Sequence, residues 1–276
     1  MRAGLVQLSV SDDPAANLPV TREHIRAAAG GGAGFVLTPE CTNILSSDRA
    51  HQRAVLCHEE DDPTLAALRA EAADLGIWLL IGSLALKTHD ADGRFANRSF
   101  LIAPSGEIAA RYDKIHMFDV DVSATEKYRE SEGYRPGTRA VTAETPFGRL
   151  GLAVCYDLRF PQLFRRLAQG GAEILTLPAA FNDTTGAAHW ESLIRARAIE
   201  NTCFVLAPAQ CGTHAAHGGK PRRTWGHSLA VAPWGEVLAD GGTEPGVTLV
   251  DIDLARIAEA RARVASLGHD REFEGP

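Results

Sequence analysis

The feature that most constrains the fold of this chain is an internal repeat, in which a strand is followed by the same turn residues. Residues 32–43 read GAGFVLTPECTN and residues 171–182 read GAEILTLPAAFN, so Gly-Ala, an apolar run, Pro and Asn recur at the same offsets. Further along each half, 103–109 (APSGEIA) and 232–239 (APWGEVLA) place a Gly between two strand patterns, as in a β-hairpin. Chance similarity of short Gly/Pro turns is the alternative. Two matches in the same order favour duplication, with two similar layers packed about a pseudo-two-fold axis.

Short apolar, β-branched runs alternate with helical patterns along the chain. Apolar residues recur at three- and four-residue spacing in 64–75 and 187–200, which is typical of amphipathic helices. The strand-like runs are 5–10, 35–38, 77–82, 99–103, 150–154, 174–177, 203–207, 228–232 and 247–252. This alternation predicts an α/β protein. No low-complexity linker divides the 276 residues, so we interpret 1–276 as a single domain.

Charge and cysteine content exclude several classes of function. The formal net charge is −7, and without a Lys/Arg cluster we expect neither a nucleic-acid nor an anionic-membrane partner. The longest apolar runs are far shorter than the roughly 20 residues of a bilayer span, and the N-terminus shows no signal-peptide pattern. The five cysteines are scattered, which is a poor disulfide framework. We therefore expect a cytoplasmic protein with free thiols and no zinc site.

Polar residues that follow apolar strands are the first candidates for chemistry. Glu40 comes after the run 35–38, Cys155 directly after 150–154, and Lys114 after the strand-like segment 107–112. Active sites of α/β sheets gather at the carboxyl ends of strands, and a thiol needs a base or a nearby cation to act as a nucleophile. Taken singly, each residue has an ordinary alternative: a solvated Glu, a solvated Lys, or a Cys packed in the core.

Three segments in order strengthen this interpretation. VLTPE, RYDKIHMFD and GLAVCYDLRFPQLFR resemble the three signature segments of the nitrilase superfamily of carbon–nitrogen hydrolases, and the similarity extends through PAAFNDTTGAAHW, RARAIEN and WGHSLAVAPWGEVLA. The resemblance implies an α-β-β-α sandwich, usually joined to a second subunit, so a homodimer or larger homo-oligomer is expected.

The resemblance also implies roles for particular residues. Glu40 is the expected general base, Lys114 the oxyanion stabiliser, Cys155 the nucleophile, and Glu130, in YRESEGYRPG, a second glutamate that orients Lys114. The backbone N–H of Tyr156 is the expected second oxyanion donor. No metal and no cofactor are expected.

Substrate-binding residues are harder to assign. The candidates are Phe181, Asn182 and His189, within PAAFNDTTGAAHW, and Arg159; Arg195 is a candidate by residue type alone. Within the superfamily, the chain is most similar to the branch of deaminated glutathione amidases and omega-amidases. This similarity implies a small carboxylate-bearing amide as substrate. The segment HAAHGGKPRR (214–223) is where we expect the shape of the pocket to diverge.

Four alternatives remain open from the sequence. A nitrilase proper, another aliphatic amidase or a carbamoylase would carry the same catalytic residues. A papain-like hydrolase would use His116, His189 or His227 as its base, although no C-G-x-C-W context surrounds the cysteine. A metal-dependent hydrolase would use His116 with Asp119 and Asp121. An inactive interaction scaffold is the non-enzyme alternative.

Overall fold

Two six-stranded β-sheets, each built mainly from one half of the sequence, form the centre of the molecule. The computed structural model describes residues 1–123, 126–216 and 222–275. In the first sheet β1 (Arg2–Gln7), β2 (Phe35–Leu37), β3 (Trp78–Leu86), β4 (Ala96–Ile102) and β5 (Ile108–Asp113) lie side by side, with β16 (Gly246–Asp251) beside β1. In the second sheet β9 (Gly148–Leu152), β10 (Ile174–Thr176), β11 (Phe204–Ala207), β14 (Leu229–Val231) and β15 (Val237–Asp240) lie side by side, with β8 (Val141–Thr145) beside β9.

Helices and two short ribbons complete the described chain. The helices are α1 (Pro14–Gly30), α2 (Arg49–Val55), α3 (Pro63–Leu75), α4 (Pro161–Gln169), α5 (Asp183–Asn201) and α6 (Ala255–Arg263). The antiparallel ribbons pair β6 (Asp119–Asp121) with β7 (Lys127–Arg129), and β12 (Cys211–His214) with β13 (Arg222–Trp225). The periodicity at 64–75 and 187–200 thus corresponds to α3 and α5. The two ribbons were not predicted, because their strands are three or four residues long and partly polar.

Local sequence signals explain where α3 begins and ends. The side chain of Asp62 accepts a hydrogen bond from the N–H of Leu65 at 2.8 Å, and Pro63 occupies the first turn; both features favour a helix start. Gly76 ends the helix in the left-handed region, at φ 63°, where a residue without a Cβ is favoured. The sequence of this segment therefore carries both boundaries of the helix.

Side chains along the strands of the first sheet point alternately to its two faces, and both faces are buried. Leu5, Phe35 and Leu37 belong to the large core that also contains the second sheet. Their neighbours Val6 and Val36 pack with apolar side chains of α1 and α3. Because successive strand residues point to opposite faces, the first sheet lies between a helical layer and the second sheet. Helices α4 and α5 contribute Phe164, Leu167, Trp190 and Ile194 to the core of the second sheet, which completes the predicted α-β-β-α sandwich.

The repeat found in the sequence is present in the topology. Each sheet contains three parallel strands, β1–β2–β3 in the first and β9–β10–β11 in the second. The next strand in each sheet is antiparallel and belongs to a hairpin. The turns containing Gly106 and Gly235 have φ values of 80° and 93°, and each joins two antiparallel strands. The edge strands come from different places: β8 precedes β9, whereas β16 comes from the end of the chain to pair with β1. The fold is therefore a pseudo-two-fold sandwich closed by the C-terminal strand.

The strand at the N-terminus differs from its predicted position. The apolar run predicted a strand over 5–10, but β1 is Arg2–Gln7. It begins early because Arg2, although exposed, pairs with Asp251 of β16. Beyond Gln7 the chain leaves the sheet, and Leu8 forms an isolated bridge with Gln210. Among the described residues no helix has both the length and the apolar character that crossing a bilayer requires.

Candidate active site

The three strand-end residues singled out in the sequence line one cavity. Glu40 lies three residues beyond the end of β2, Cys155 three residues beyond the end of β9, and Lys114 directly after β5. All three line a cavity of about 680 Å³. The side chains of Glu40 and Lys114 are 4% and 2% exposed, so two opposite charges are held together away from water.

Lys114 is bound between two carboxylates. Its Nζ lies 2.8 Å from Oε1 of Glu40 and 3.0 and 2.8 Å from the two oxygens of Glu130. The amide of Asn97, on β4, donates to Glu40 at 2.9 Å and to Glu130 at 3.2 Å. The backbone N–H of Phe118 donates to Glu130 at 2.6 Å. These donors hold both carboxylates in fixed orientations around the ammonium.

Glu40 is anchored from the second half of the chain as well. The N–H of Ala180 donates to its Oε2 at 2.8 Å, and the amide of Gln210 donates to its backbone carbonyl at 3.0 Å. Ala180 follows β10, the counterpart of the strand that carries Glu40. The two strand ends therefore hold each other across the interface of the sheets.

Cys155 begins a short 3₁₀ helix, Cys155–Arg159, in a strained conformation. Its φ is 49°, in the left-handed region that non-glycine residues seldom adopt, and strain of this kind clusters at functional sites. Its N–H donates to the carbonyl of Pro178 at 2.9 Å. The Cys155 thiol and the carboxylate of Glu40 line the same cavity, and the negative charge of Glu40 acts on the thiol. Thus Cys155 packs against the core and also forms part of the wall of the cavity that contains Glu40.

The electrostatics of the site determine which of its groups are protonated before substrate binds. Burial raises the pKa of the Cys155 thiol well above its ordinary value; the negative charge of Glu40 adds to this effect and Lys114 opposes it. Burial also acts to raise the pKa of Glu40, but the ammonium of Lys114 outweighs it and holds that pKa far below its ordinary value. Although burial disfavours its charge, the two carboxylates raise the pKa of Lys114. The resting site is therefore a neutral thiol beside a carboxylate and an ammonium.

A buried aspartate that the sequence analysis missed ties the cysteine turn to the lysine strand. Asp157 has no exposed surface. Its Oδ2 accepts from the N–H of Val154 at 2.8 Å and from the hydroxyl of Tyr112 at 2.7 Å. Its Oδ1 lies 3.0 Å from the backbone N and 2.7 Å from Nδ1 of His116. Since His116 lies two residues after Lys114, the Asp157 carboxylate links the turn of Cys155 to the segment that carries Lys114. In the sequence, the only indication of this role was a charged residue within a largely apolar turn.

Gly82 was also missed as a contributor to the site. A Cβ at this position of β3 would lie 2.1 Å from the carbonyl oxygen of Thr38 and 2.5 Å from that of Pro39. Real Cβ atoms do not approach that closely. The absence of a side chain therefore lets the segment that carries Glu40 pass directly over β3.

Two of the predicted substrate-binding residues line the cavity, and the others lie outside it. Phe181 and Asn182 line the cavity, and Asn182 donates to Glu126 at 2.6 Å. Arg159 and the exposed His189 lie 3.3 Å apart, outside that lining, with Arg159 over the ring of Phe181. Arg195 donates to the carbonyl of Gly235 at 2.9 Å, away from the cavity.

The segment 214–223 reaches the cavity at both of its described ends. His214, Ala216 and Arg222 line the cavity, while residues 217–221 lie outside the described residues. Burial lowers the pKa of His214 to about 4, and its ring nitrogens lie 2.8 Å from the carbonyl of Val10 and 2.7 Å from the hydroxyl of Thr224. Arg222, which the sequence analysis did not select, is a cation in the same cavity, and its charge acts on Glu40.

The side chains proposed by the rival interpretations have other partners. His116 is stacked on Phe160 at 3.6 Å and bonded to Asp157. Of the two aspartates, Asp119 accepts from the N–H of Ser131 at 3.0 Å, and Asp121 pairs with Arg129 at 2.8 Å. The structure does not gather these side chains around a common metal position. His227 pairs with Asp240 at 3.0 Å, and neither His189 nor His227 lines the cavity that contains the sulfur.

Comparison with known proteins agrees with this geometry. A family model described as carbon-nitrogen hydrolase matches residues 2–262. The chain is 41% identical to a deaminated glutathione amidase of Yersinia enterocolitica, covering 97% of this chain and 92% of that protein. It is 38% identical to an omega-amidase of Homo sapiens, covering 95% and 92%.

Solved structures show the same fold. The C. elegans NitFhit protein matches with a TM-score of 0.88 and 34% identity; the match covers 98% of this chain and 65% of that protein. Saccharomyces cerevisiae Nit3, a member of the nitrilase superfamily, matches with a TM-score of 0.86 and 28% identity over 99% and 97% of the two chains. An amidase of Nesterenkonia sp. AN1, with a TM-score of 0.77, 27% identity and coverage of 96% and 98%, is described with acrylamide added at its active-site cysteine.

Proposed function

Since the chain belongs to the carbon-nitrogen hydrolase family and is an amide-hydrolysing enzyme, we propose that it cleaves a small carboxylate-bearing amide through a thioester on Cys155. Deaminated glutathione and the omega-amides of α-keto acids are the substrate class, as the names of its relatives suggest. The observation that carries the proposal is the convergence of Glu40, Lys114 and Cys155 in one cavity.

The first step is attack of the sulfur on the amide carbonyl. Because the thiol is neutral at rest and shares a cavity with the carboxylate of Glu40, its proton passes to that carboxylate as the C–S bond forms. General-base catalysis of this kind requires the base to be within hydrogen-bond reach of the nucleophile, and the cavity that Glu40 and Cys155 share supports this role. The strongly held Lys114 stays protonated throughout.

The oxyanion of the tetrahedral intermediate needs two donors. An ammonium carries three N–H groups, and at rest they face three carboxylate oxygens. Two of those oxygens belong to Glu130, so one N–H can hold Glu130 while another turns to the oxyanion. The second donor is the N–H of Tyr156, at the start of the 3₁₀ helix: the first backbone bond of that turn runs from Asp157 to Val154. Preorganised donors are worth about 3 kcal/mol each in such intermediates.

Breakdown of the intermediate returns the proton. Glu40 protonates the departing nitrogen, the C–N bond breaks, and ammonia or an amine leaves. A thioester remains on Cys155. Glu40 then takes a proton from water as the water oxygen attacks the thioester, and the protonated acid returns that proton to the sulfur when the carboxylic acid is released. Glu130 holds Lys114 against Glu40 and is a positioning residue in this scheme.

Two variants of the nucleophile test the proposal. Purified protein is incubated with deaminated glutathione, α-ketoglutaramate and simple nitriles, and the release of amine or ammonia is measured. Cys155→Ala is expected to abolish turnover and Cys155→Ser to reduce it strongly, because a hydroxyl is a weaker nucleophile at this site. Cys203→Ala is the matched control, since that thiol is buried in the core and bonded to backbone carbonyls.

The outcomes separate the alternatives. Intact-mass detection of an acyl adduct that disappears in Cys155→Ala supports the thioester. Full activity in Cys155→Ala refutes the proposal. Nitrile turnover comparable with amide turnover identifies a nitrilase instead, and no turnover of any substrate favours the scaffold interpretation.

A further inference from the structure

Two half-buried arginines line the active-site cavity without a carboxylate partner among the described residues. They are Arg49, at the start of α2, and Arg222, at the start of β13. Lys114 and Arg129 line the same cavity and do have carboxylate partners. Lys114 pairs with Glu40 and Glu130, and Arg129 pairs with Asp121. A guanidinium that is partly removed from water is stabilised by an anionic partner, so these two arginines are candidates to bind an anion.

Arg222 is held close to the reacting groups. Its Nη2 donates to the carbonyl oxygen of Ala180 at 2.7 Å, and the N–H of that same residue donates to Glu40 at 2.8 Å. The guanidinium lies over the ring of Tyr128, with Cζ 5.5 Å from the centroid. Its Nε is buried and has no hydrogen-bond partner. A backbone carbonyl and an aromatic face fix the cation, but neither neutralises it.

Arg49 is fixed in the same manner at another part of the wall. Its Cζ lies 5.0 Å from the centroid of Tyr134, and its Nη1 donates to the neutral amide of Gln52 at 2.8 Å. A Cβ on Gly133 would lie 2.2 Å from Cζ of Arg49, so the missing side chain makes room for the guanidinium. Gly133 follows the turn Glu130–Glu132, which places Arg49 on the Glu130 side of the cavity.

We propose that the two arginines bind the two carboxylates of a dianionic substrate, Arg222 that of the acyl group and Arg49 that of the leaving amine. The proposal rests on the proposed amidase function and narrows its substrate class. A short α-keto acyl group keeps its carboxylate within a few bonds of the reacting carbon, which suits Arg222 beside the Glu40 anchor. A dipeptide-sized leaving group extends about 7 Å, and its terminal carboxylate suits Arg49 on the Glu130 side of the cavity.

Three substrates separate the two contacts. Deaminated glutathione carries both carboxylates, its C-terminal carboxamide carries only the acyl carboxylate at nearly the same size, and α-ketoglutaramate lacks the extended leaving group. We expect the wild type to prefer deaminated glutathione over its carboxamide by about tenfold or more in kcat/KM, as for a charge-assisted hydrogen bond.

Arginine variants then assign the carboxylates. Arg49→Met is expected to reduce the preference for the free carboxylate to near unity. Because this is a ratio of two substrates in one protein sample, it is independent of how much of the variant is folded. Arg222→Met is expected to lower kcat/KM about 10- to 100-fold on all three substrates, with Arg222→Lys recovering only part of it, since a lysine cannot reproduce the planar guanidinium. Arg129→Met is the matched control, because that arginine lines the cavity but already pairs with Asp121.

The possible failures are distinguishable. A wild type that hydrolyses anionic amides but shows no preference for the free carboxylate overturns the inference alone. An unchanged preference in Arg49→Met, or an equal change in Arg129→Met, overturns the role of Arg49, and full activity in Arg222→Met overturns that of Arg222. Turnover of neutral amides only, with none of the anionic ones hydrolysed, overturns both the inference and the proposed substrate class.

Discussion

Replacing Asp157 by asparagine tests whether the nucleophile is positioned by a buried charge. The carboxylate accepts four contacts: two donors meet Oδ2, the N–H of Val154 and the hydroxyl of Tyr112, and two meet Oδ1, both from His116. All four partners donate to the carboxylate. An asparagine keeps one oxygen acceptor and puts an NH₂ donor where the other oxygen was, so two of the four donors lose their acceptor.

The loss of stability depends on which of the four donors can reorient or change tautomer. With the NH₂ on the Oδ2 side, the hydroxyl of Tyr112 can turn and accept, but the buried N–H of Val154 is left unpaired. With the NH₂ on the Oδ1 side, the imidazole of His116 can change tautomer, but its backbone N–H is left unpaired. Either orientation leaves one buried N–H unsatisfied, which costs about 1–3 kcal/mol, and weakens the two retained bonds by removing the charge. We expect a total loss of about 3 kcal/mol in the free energy of unfolding.

Activity is expected to fall with stability, because an unpaired Val154 N–H lies next to the strained turn of Cys155. The assay is denaturant unfolding combined with kcat and KM on the amide substrate, with kcat falling more than KM changes. Tyr112→Phe removes one of the four contacts and should cost about 1 kcal/mol. Asp251→Asn makes the same chemical change in the exposed pair with Arg2 and should have little effect on stability, because exposed ion pairs contribute little. An Asp157→Asn protein that is as stable and active as the wild type would refute the reasoning.

Three further predictions concern the surroundings of the site. In Glu130→Gln an amide N–H₂ must face Lys114, so we expect kcat to fall about 100-fold with the fold retained; circular dichroism and steady-state kinetics check both. In Gly82→Ala the new Cβ meets backbone carbonyls, so we expect about 3 kcal/mol of destabilisation, whereas Gly34→Ala, with open space around its Cβ, should cost little. His214 has a folded pKa of about 4 against an ordinary 6.5, so the unfolded chain binds its proton first as pH falls. Stability should therefore drop by roughly 3 kcal/mol between pH 6.5 and 4, and denaturation of His214→Gln should show a flatter pH dependence.

The sequence was most informative about candidate site residues that follow the end of a strand. Glu40, Lys114 and Cys155 each follow a strand pattern, and the rule that sites lie at carboxyl ends of strands makes them candidates. Their roles came from the resemblance of the three segments that contain them to the nitrilase signatures. Arg222 lies instead on a ribbon whose strands are four residues long, so no periodicity marks its position. Asp157 is invisible for another reason: three of its four contacts are with residues far away in the sequence, and a buried carboxylate resembles a surface one until its partners are known.

The register of the two sheets extends the sequence repeat to strands where no similarity is visible. Ala3 lies opposite Phe35 in the first sheet, and Leu150 lies opposite Ile174 in the second. The repeat aligns Phe35 with Ile174, so β1 and β9 are equivalent strands. Their sequences have no motif in common because each needs only apolar residues at positions buried on both faces.

This equivalence explains why a doubled scaffold carries one active site. By the register, the counterpart of Cys155 is Leu8, and by the repeat the counterpart of Glu40 is Ala179. The mirrored position thus lacks both a nucleophile and an acid. It supports the first site instead: Leu8 forms a bridge with Gln210, whose amide donates to the carbonyl of Glu40 at 3.0 Å. Because the acid comes from one half and the sulfur from the other, the proposed reaction needs both halves, and the packing of the two sheets is a condition for the proposed mechanism.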